Sequence, residues 1–193
     1  MCHFLSGLVT IEKHPKVICL DLKSHDATIA YLQLKAETYR EWEWTREDRG
    51  ESLDVRVLSN ENASEFKSAI LAQFPRRVDC LNECIRQIVE SGRKDIDLRD
   101  LTSADGLVLP QSIGGDLYLG GLTSADGLVL PQSIGGYLDL DGLTSADGLV
   151  LPQSIGGYLS LRGLTSADGL VLPQSIPTWK IQCQASILRK ARG

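Results

Sequence analysis

An internal repeat constrains the fold of this chain more than any other feature of its sequence. The 13-residue string LTSADGLVLPQSI occurs four times at a spacing of 21 residues, and a half-unit that starts at Asp95 precedes the first copy. The four copies begin at Leu101, Leu122, Leu143 and Leu164. One unit of this size cannot bury its own leucines, whereas stacked units share a continuous core. The repeat therefore predicts a solenoid that begins near residue 94.

Each unit contains one short segment in which apolar and polar residues alternate, with glycines on both sides. In the segment YLDLD, residues 137–141, Leu138 and Leu140 occupy one face and the other residues occupy the opposite face. Such alternation between glycines is typical of a half-buried strand. Pro152 removes a backbone donor from the rest of its unit, which favours an extended or irregular return over a helix. We therefore expect a right-handed β-solenoid over residues 94–180, with 21-residue rungs and a parallel sheet along one side.

The unit also resembles a known family of repeats. The segment LPQSIGGYLSL, residues 151–161, follows the pattern LP-x-x-I-GG-x-L-x-L. This pattern is similar to the short leucine-rich repeats of bacterial effectors and to repeats in uncharacterised bacterial and phage proteins. It departs from the usual consensus because Leu122, Leu143 and Leu164 stand where an asparagine normally caps the strand exit, which argues against the standard horseshoe curvature. The resemblance covers about 85 residues and implies a leucine-rich-repeat-like scaffold that binds other proteins.

The residues before and after the repeats are expected to form separate parts. Residues 1–93 are predicted to form an α+β domain, and residues 181–193 are predicted to form a basic C-terminal tail. In the first domain, strands are predicted over residues 4–11, 16–22, 39–45 and 52–58. Helices are predicted over residues 26–34, 63–74 and 80–90, the last with Asp79 as its N-cap.

The first residues resemble a group of small phage and prophage proteins that begin Met-Cys-x-Phe-x-Ser, carry a Ser-His pair after an early strand, and often continue into tandem repeats. The matching residues are Met1, Cys2, Phe4, Ser6, Ser24 and His25. This resemblance implies a cytoplasmic protein encoded by a phage or mobile element. The chain start also lacks the regions of a signal peptide, so we expect a cytoplasmic location, no membrane association and five reduced cysteines.

The alternatives that involve chemistry rest on cysteine and histidine. Cys2 becomes the N-terminal residue once Met1 is removed, and an N-terminal cysteine acts as nucleophile and base in some amidohydrolases. His3 follows it where those enzymes usually have a small residue, so we favour a packed cysteine in the first strand. A zinc site is the second alternative, with the candidate ligands Cys2, His3, His14, His25, Cys80 and Cys84. Their spacing matches no common zinc pattern, so no catalytic residue, metal or cofactor is expected.

Comparison of the repeats with one another points to a recognition surface. The units 101–121, 122–142 and 143–163 are identical at 18 of 21 positions. The positions that differ are the three outward positions of the predicted strand, whereas the loop positions are unchanged. Recent duplication with chance substitutions is the alternative explanation. The functional interpretation predicts that the outward sheet face binds a partner through Asp95, Asp97, Arg99, Asp116, Tyr118, Tyr137, Asp139, Asp141, Tyr158, Ser160 and Arg162. Trp42 and Trp44, which alternate in a predicted hairpin, lie either in a core or in a second aromatic contact site.

Charge and residue type define the expected partner. Residues 101–176 carry a net charge of −6 and the whole chain carries −5, which argues against direct binding of nucleic acid. Tyrosines among carboxylates favour a host protein with a basic patch. We expect a non-enzymatic interaction protein that inhibits a host nuclease or defence complex. The alternatives are a Cys2 hydrolase that selects its substrate with the solenoid, and a structural assembly protein. The oligomeric state is not predicted.

Overall fold

The chain divides into two compact units, Met1–Gly92 and Arg93–Gly193. Within them, the computed structural model describes residues 6–10, 17–18, 39–44, 55–57 and 63–192, and side-chain environments for residues 64–76 and 78–191. The helix predicted over residues 26–34 lies outside the described residues. Within the described part of the chain, every helix is too short or too polar to cross a membrane.

The first unit contains a four-stranded antiparallel sheet in the order β2-β1-β3-β4. Its strands are β1 (Ser6–Thr10), β2 (Val17–Ile18), β3 (Tyr39–Trp44) and β4 (Val55–Val57). In the middle of β3, Trp42 pairs with Gly7 of β1 and with Val57 of β4. Trp44 follows in the same strand and pairs with Val55 of β4. The environment of the two indoles lies outside the described side chains.

Two helices follow the sheet, α1 (Ala63–Gln73) and α2 (Arg77–Glu90). The second helix begins before its predicted start at Cys80 and has Arg76 as its N-cap, so the prediction of Asp79 as N-cap is wrong. Asp79 lies in the first turn, where its carboxylate accepts hydrogen bonds from the Arg76 guanidinium at 3.0 and 2.6 Å. These hydrogen bonds lower the pKa of Asp79. A negative charge at this end of a helix is also favoured by the helix dipole.

The cysteines differ in part from the expectation. Cys80 and Cys84 are both 0% exposed on the apolar side of α2. Cys80 and Cys183 form no disulfide, but Cys84 is disulfide-bonded, so the prediction of five reduced cysteines is wrong at Cys84. A disulfide sulfur is not the thiolate that zinc requires, which removes Cys84 from the predicted zinc ligands in this state. Among the described residues, no group of three or more histidine, cysteine or acidic side chains is placed to hold a metal ion.

The second unit is a parallel β-solenoid of about four turns with rungs of about 21 residues. Its larger sheet has the order β12-β11-β9-β7-β5, and its smaller sheet has the order β10-β8-β6. The larger sheet contains β5 (Ile96–Asp97), β7 (Leu117–Tyr118), β9 (Leu138–Asp139), β11 (Leu159–Ser160) and β12 (Ile181–Gln182). The smaller sheet contains β6 (Ser112–Ile113), β8 (Ser133–Ile134) and β10 (Ser154–Ile155). Each strand pairs with the equivalent strand of the next rung, so residues at equivalent repeat positions stack on one another.

Leucine side chains fill the inside of the solenoid. Leu138 and Leu140, which the alternating pattern predicts to point inward, are both 0% exposed. The residues that take the place of the consensus asparagine are also 0% exposed, and they are Leu122, Leu143 and Leu164. This corner of each rung is therefore closed by apolar contacts. Burial of several leucines per rung supplies the main favourable term for stacking.

Neighbouring rungs approach closely at the first glycine after each isoleucine. A Cβ atom on Gly156 would lie 2.0 Å from the carbonyl oxygen of Gly135, and one on Gly135 would lie 2.3 Å from that of Gly114. Gly114 occupies the same position in the first rung, where the nearest atom to an added Cβ is in the Lys94 side chain at 3.6 Å. Glycine is therefore required at this position wherever another rung precedes.

The residues predicted to form a basic tail form the last strand and a helix of the solenoid unit. After Ile176, a 3₁₀ helix, Thr178–Lys180, leads into β12, which pairs with β11. Leu159 pairs with Ile181, 22 residues later, so this rung is one residue longer than the others. Helix α3 (Ala185–Arg192) follows, and its Ile187 is 4% exposed. The prediction of a tail considered only the charges of this segment. The buried side chains of Ile181 and Ile187 explain why the segment is instead part of the solenoid unit.

Gly156→Ala is expected to destabilise the protein, because the new methyl group would press on the Gly135 carbonyl and separate two rungs. Overpacking of this kind typically costs about 1–3 kcal/mol. Gly114→Ala is the matched control, and we expect it to change stability by less than about 0.5 kcal/mol. Urea titrations would measure the free energy of unfolding of both variants. Equal losses would show that contact between rungs is not the cause.

Candidate functional site on the larger sheet

Side chains on the outer side of the larger sheet stand in rows that run from rung to rung. We call this surface the sheet face. Its middle row follows the strand pairing and consists of Asp97, Tyr118, Asp139, Ser160 and Gln182. The row at the strand entry consists of Asp95, Asp116, Tyr137, Tyr158 and Lys180. The row at the strand exit consists of Arg99, Gly120, Asp141 and Arg162.

The sheet face brings together the residues predicted from the comparison of the repeats, but it buries one of them. Ser160, expected to point to solvent, is 0% exposed. Its short side chain is flanked by Asp139 and Gln182 on the neighbouring strands, and its hydroxyl donates to Asp141 Oδ1 at 2.5 Å. Ser160 therefore supports its neighbours and does not present a group to a partner. By contrast, Tyr158 in the same rung is 44% exposed.

A cluster of one arginine and two tyrosines covers the first half of the sheet face. The Arg99 guanidinium is held by Asp97, with Nη2 2.5 Å and Nε 3.0 Å from Oδ2, and this pairing raises the pKa of Arg99. The guanidinium carbon lies 5.0 Å from the centroid of the Tyr118 ring, within the range of a cation–π contact. The Tyr118 ring lies 5.8 Å from the Tyr137 ring at an angle of 48°. Pairs of rings at this distance attract each other, so the cluster is an ordered surface.

Carboxylates at the strand entry hold successive rungs together. Asp116 Oδ1 accepts the backbone N–H of Tyr137 at 2.7 Å, and its Oδ2 accepts the Tyr118 hydroxyl at 2.9 Å. One rung earlier, Asp95 Oδ1 accepts the N–H of Asp116 at 2.8 Å. The hydrogen bond to Asp116, together with burial and the charge of that carboxylate, raises the pKa of Tyr118 to about 12. Asp116 therefore positions both tyrosines of the cluster.

Asp141 has the equivalent role at the strand exit. Its Oδ1 accepts the backbone N–H of Arg162 on the next rung at 2.9 Å. The Arg162 guanidinium lies 3.6 Å from Asp141 Oδ2 and also donates to Gln182 Oε1. Asp139 Oδ1 accepts the N–H of Asp141 at 3.0 Å. These contacts make Asp141 part of the rung stack, whereas the charge of Asp139 can be removed without loss of a hydrogen bond to another rung.

An exposed aromatic pair lies at the C-terminal end of the sheet face. Tyr158 and Trp179 meet edge to face, with ring centroids 6.2 Å apart and planes at 80°. Trp179 is 69% exposed, and Lys180 Nζ lies 5.5 Å from the centroid of its ring. The repeat comparison missed Trp179 and Lys180, because both follow the last complete repeat. Counting 21 residues on from Tyr158 leads to Trp179, which is the signal that would have found it.

The sheet face is suited to noncovalent recognition of a protein surface. Tyrosine and tryptophan supply contact area at low entropic cost, and carboxylates and guanidinium groups supply directional hydrogen bonds. The residues behind the chemical alternatives, Cys2, His3, His14 and His25, lie outside the described residues, so the hydrolase and zinc hypotheses stay predictions. Comparisons of the chain with protein-family models, with curated proteins and with solved structures found no match.

Tyr118 is expected to ionise later than an ordinary tyrosine. Because its pKa of about 12 in the folded protein exceeds the usual 10.0, its interactions stabilise the fold fully below about pH 10 and are lost as the pH rises towards 12. An ultraviolet titration of the wild type minus that of Tyr118→Phe isolates this phenol. Asp116→Asn should move the midpoint of the difference curve towards 10. A wild-type midpoint near 10 would contradict the hydrogen bond between Tyr118 and Asp116.

Proposed function

We propose that this chain is a non-enzymatic protein-binding protein and that the sheet face holds its partner. One observation supports this proposal above the others: the positions that differ among otherwise identical repeats all belong to the three rows of the sheet face. Exposed positions on other sides of the rungs do not differ. Gln153, for example, is exposed and has a glutamine equivalent in every repeat. Drift at tolerant sites predicts changes at such positions as well.

The geometry also supports a scaffold role for the solenoid, which we propose to be right-handed and leucine-rich-repeat-like. Its rungs hold each outward side chain at a fixed position, because the backbone of one strand is bonded to the next. Several of these side chains are fixed further by contacts within the face, such as Arg99 with Tyr118. A surface ordered before binding loses less entropy when the partner arrives.

The charge of the sheet face indicates the chemistry of the partner. Five aspartates contribute to it, namely Asp95, Asp97, Asp116, Asp139 and Asp141, and residues 101–176 carry a net charge of −6. Aromatic rings lie among these carboxylates. We therefore propose a protein partner with a basic patch, since complementary charge steers association and selects against wrong partners. Arg99 and Arg162 at the strand exit favour acceptor groups on one side of that patch.

A concrete role follows from this chemistry and from the phage-like N-terminus. We propose a cytoplasmic protein, encoded by a phage or mobile element, that inhibits a host nuclease or defence complex. Grooves that bind nucleic acid are lined with basic residues, and an acidic solenoid face can occupy such a groove in place of phosphates. Capture of a nucleic-acid-binding protein from a bacterial lysate by the intact chain would test this role.

Tyr137→Ala combined with Tyr158→Ala is expected to weaken binding of the captured partner by at least about 30-fold, because tyrosines at the centre of an interface are frequent hot spots. Titration calorimetry measures the change, and circular dichroism checks that folding is intact. Gln132→Ala with Gln153→Ala is the matched control, because both glutamines are exposed on another side of the rungs. Loss of binding in the glutamine variant alone would overturn the proposal.

Asp139→Asn tests the contribution of charge. The amide oxygen can still accept the N–H of Asp141, so the local structure should persist. We expect the association rate to fall severalfold and its salt dependence to become shallower, while the dissociation rate changes less. Stopped-flow measurements at several salt concentrations separate these effects. An unchanged association rate would show that this carboxylate does not face the partner's basic patch.

A further inference from the structure

Four valines form an exposed apolar row along a side of the solenoid that the sheet face does not include. Val108 is 64% exposed, and the other three, Val129, Val150 and Val171, are 74–76% exposed. We call them the valine row. Each has the same position in its rung, so neighbours are about 4.8 Å apart, the usual spacing of paired strands. Contiguous exposed apolar groups of this kind mark interaction sites in soluble proteins.

A row of exposed aspartates accompanies the valines. It consists of Asp105, Asp126, Asp147 and Asp168, each three residues before a valine, and we call it the aspartate row. Serine hydroxyls hold these carboxylates: Ser124 donates to Asp126 at 2.7 Å and Ser145 donates to Asp147 at 2.9 Å. Three residues span at most about 11 Å, so a ligand that covers a valine can reach the adjacent aspartate with one long side chain.

The chain itself shows how a basic helix meets the aspartate row. In α3, Lys190 Nζ donates to Asp168 Oδ1 at 2.8 Å, and this contact lowers the pKa of Asp168. Ile187, three residues earlier on the same side of the helix, is 4% exposed. Helix α3 thus places a lysine beside the last aspartate of the row and leaves Val171 of the same rung 75% exposed. Within the described residues, no lysine or arginine forms an ion pair with the other three aspartates of the row.

The spacing of the valine row fits a helix better than an extended peptide. Four valines one rung apart span about 14 Å along the solenoid. Residues i, i+3, i+7 and i+10 of an α-helix lie on one face and span about 15 Å. In a strand, four residues on one face span about 20 Å, so their side chains soon fall out of register with the rungs. A helix laid along the row can therefore place one apolar side chain at each valine.

We propose that the valine row and the aspartate row together form a second docking surface, which binds a basic amphipathic helix of a partner protein. Its apolar residues cover the valines, and lysines or arginines on one flank pair with the three aspartates that α3 does not reach. Charge argues against a second copy of this chain as the occupant, because two arrays of net charge −6 would repel each other. The surface is independent of the sheet face.

A synthetic amphipathic helix tests the proposal with the intact chain. The probe is a fluorescent peptide of about 18 residues with leucines at i, i+3, i+7 and i+10 and lysines on one flank. Val129→Ser with Val150→Ser should weaken its binding by at least about tenfold, because two exposed apolar contacts are lost. Asp126→Asn with Asp147→Asn should weaken it about fivefold at low salt and make it less salt-dependent. Tyr137→Ala, on the sheet face, should leave the affinity unchanged.

Two control peptides and one solution measurement decide the outcome. A peptide of the same composition with leucines at every second position, and one with glutamates in place of lysines, should each bind at least tenfold more weakly. Equal binding of either control, or no effect of the valine substitutions, would overturn the proposal. So would a dimer in sedimentation velocity that Val129→Ser with Val150→Ser abolishes, because the occupant would then be a second copy of this chain.

Discussion

Close backbone contact between successive rungs is the constraint on which the rest of the solenoid depends. Strand pairs such as Leu138 with Leu159 set the distance between rungs, and the leucines inside gain burial only at that distance. The same distance leaves no room for a Cβ atom at Gly135 or Gly156. It also brings side chains of neighbouring rungs into contact, which is why the rows of the sheet face and the valine row exist. The distance between neighbouring rungs thus determines the packing of the core, the positions that require glycine, and the rows of side chains on both surfaces.

Much of the solenoid was predictable because its pattern is local and is repeated. Alternation of leucine with polar residues between glycines correctly indicated which residues point inward, and the repeat length correctly indicated the rung size. The end of the solenoid was harder to predict. One additional residue between Leu159 and Ile181 shifts the frame, because Pro177 begins a 3₁₀ turn there. A prediction from the repeat period fails where the period changes. Beyond that point only the basic residues of α3 guided the prediction, and they favoured a solvent-exposed tail.

The candidate site was predictable in its position but not in its internal bonding. The differing positions identified the sheet face, yet only the three-dimensional contacts show that Asp116 and Asp141 join one rung to the next. The burial of Ser160 depends on the larger residues beside it, and strand alternation carries no information about the size of neighbours. The exposure of the valine row could not be predicted from the sequence for a similar reason. A valine between two leucines is expected to lie in a core. Its exposure can be determined only when the path of the return segment is known.

The bonds between rungs on the sheet face have a consequence for folding. The inner residues of the rungs are the same, so the core alone does not distinguish a correct stack from one in which a whole rung is looped out. The outer residues do distinguish these two arrangements. If the first complete rung stacked directly on the third, Asp116 could still accept the N–H of Tyr158. Gly120 would then replace Asp141 beside Ser160 and Arg162, and it has no side-chain acceptor for their hydrogen bonds. The side chains that make each rung different thereby specify which rung stacks on which.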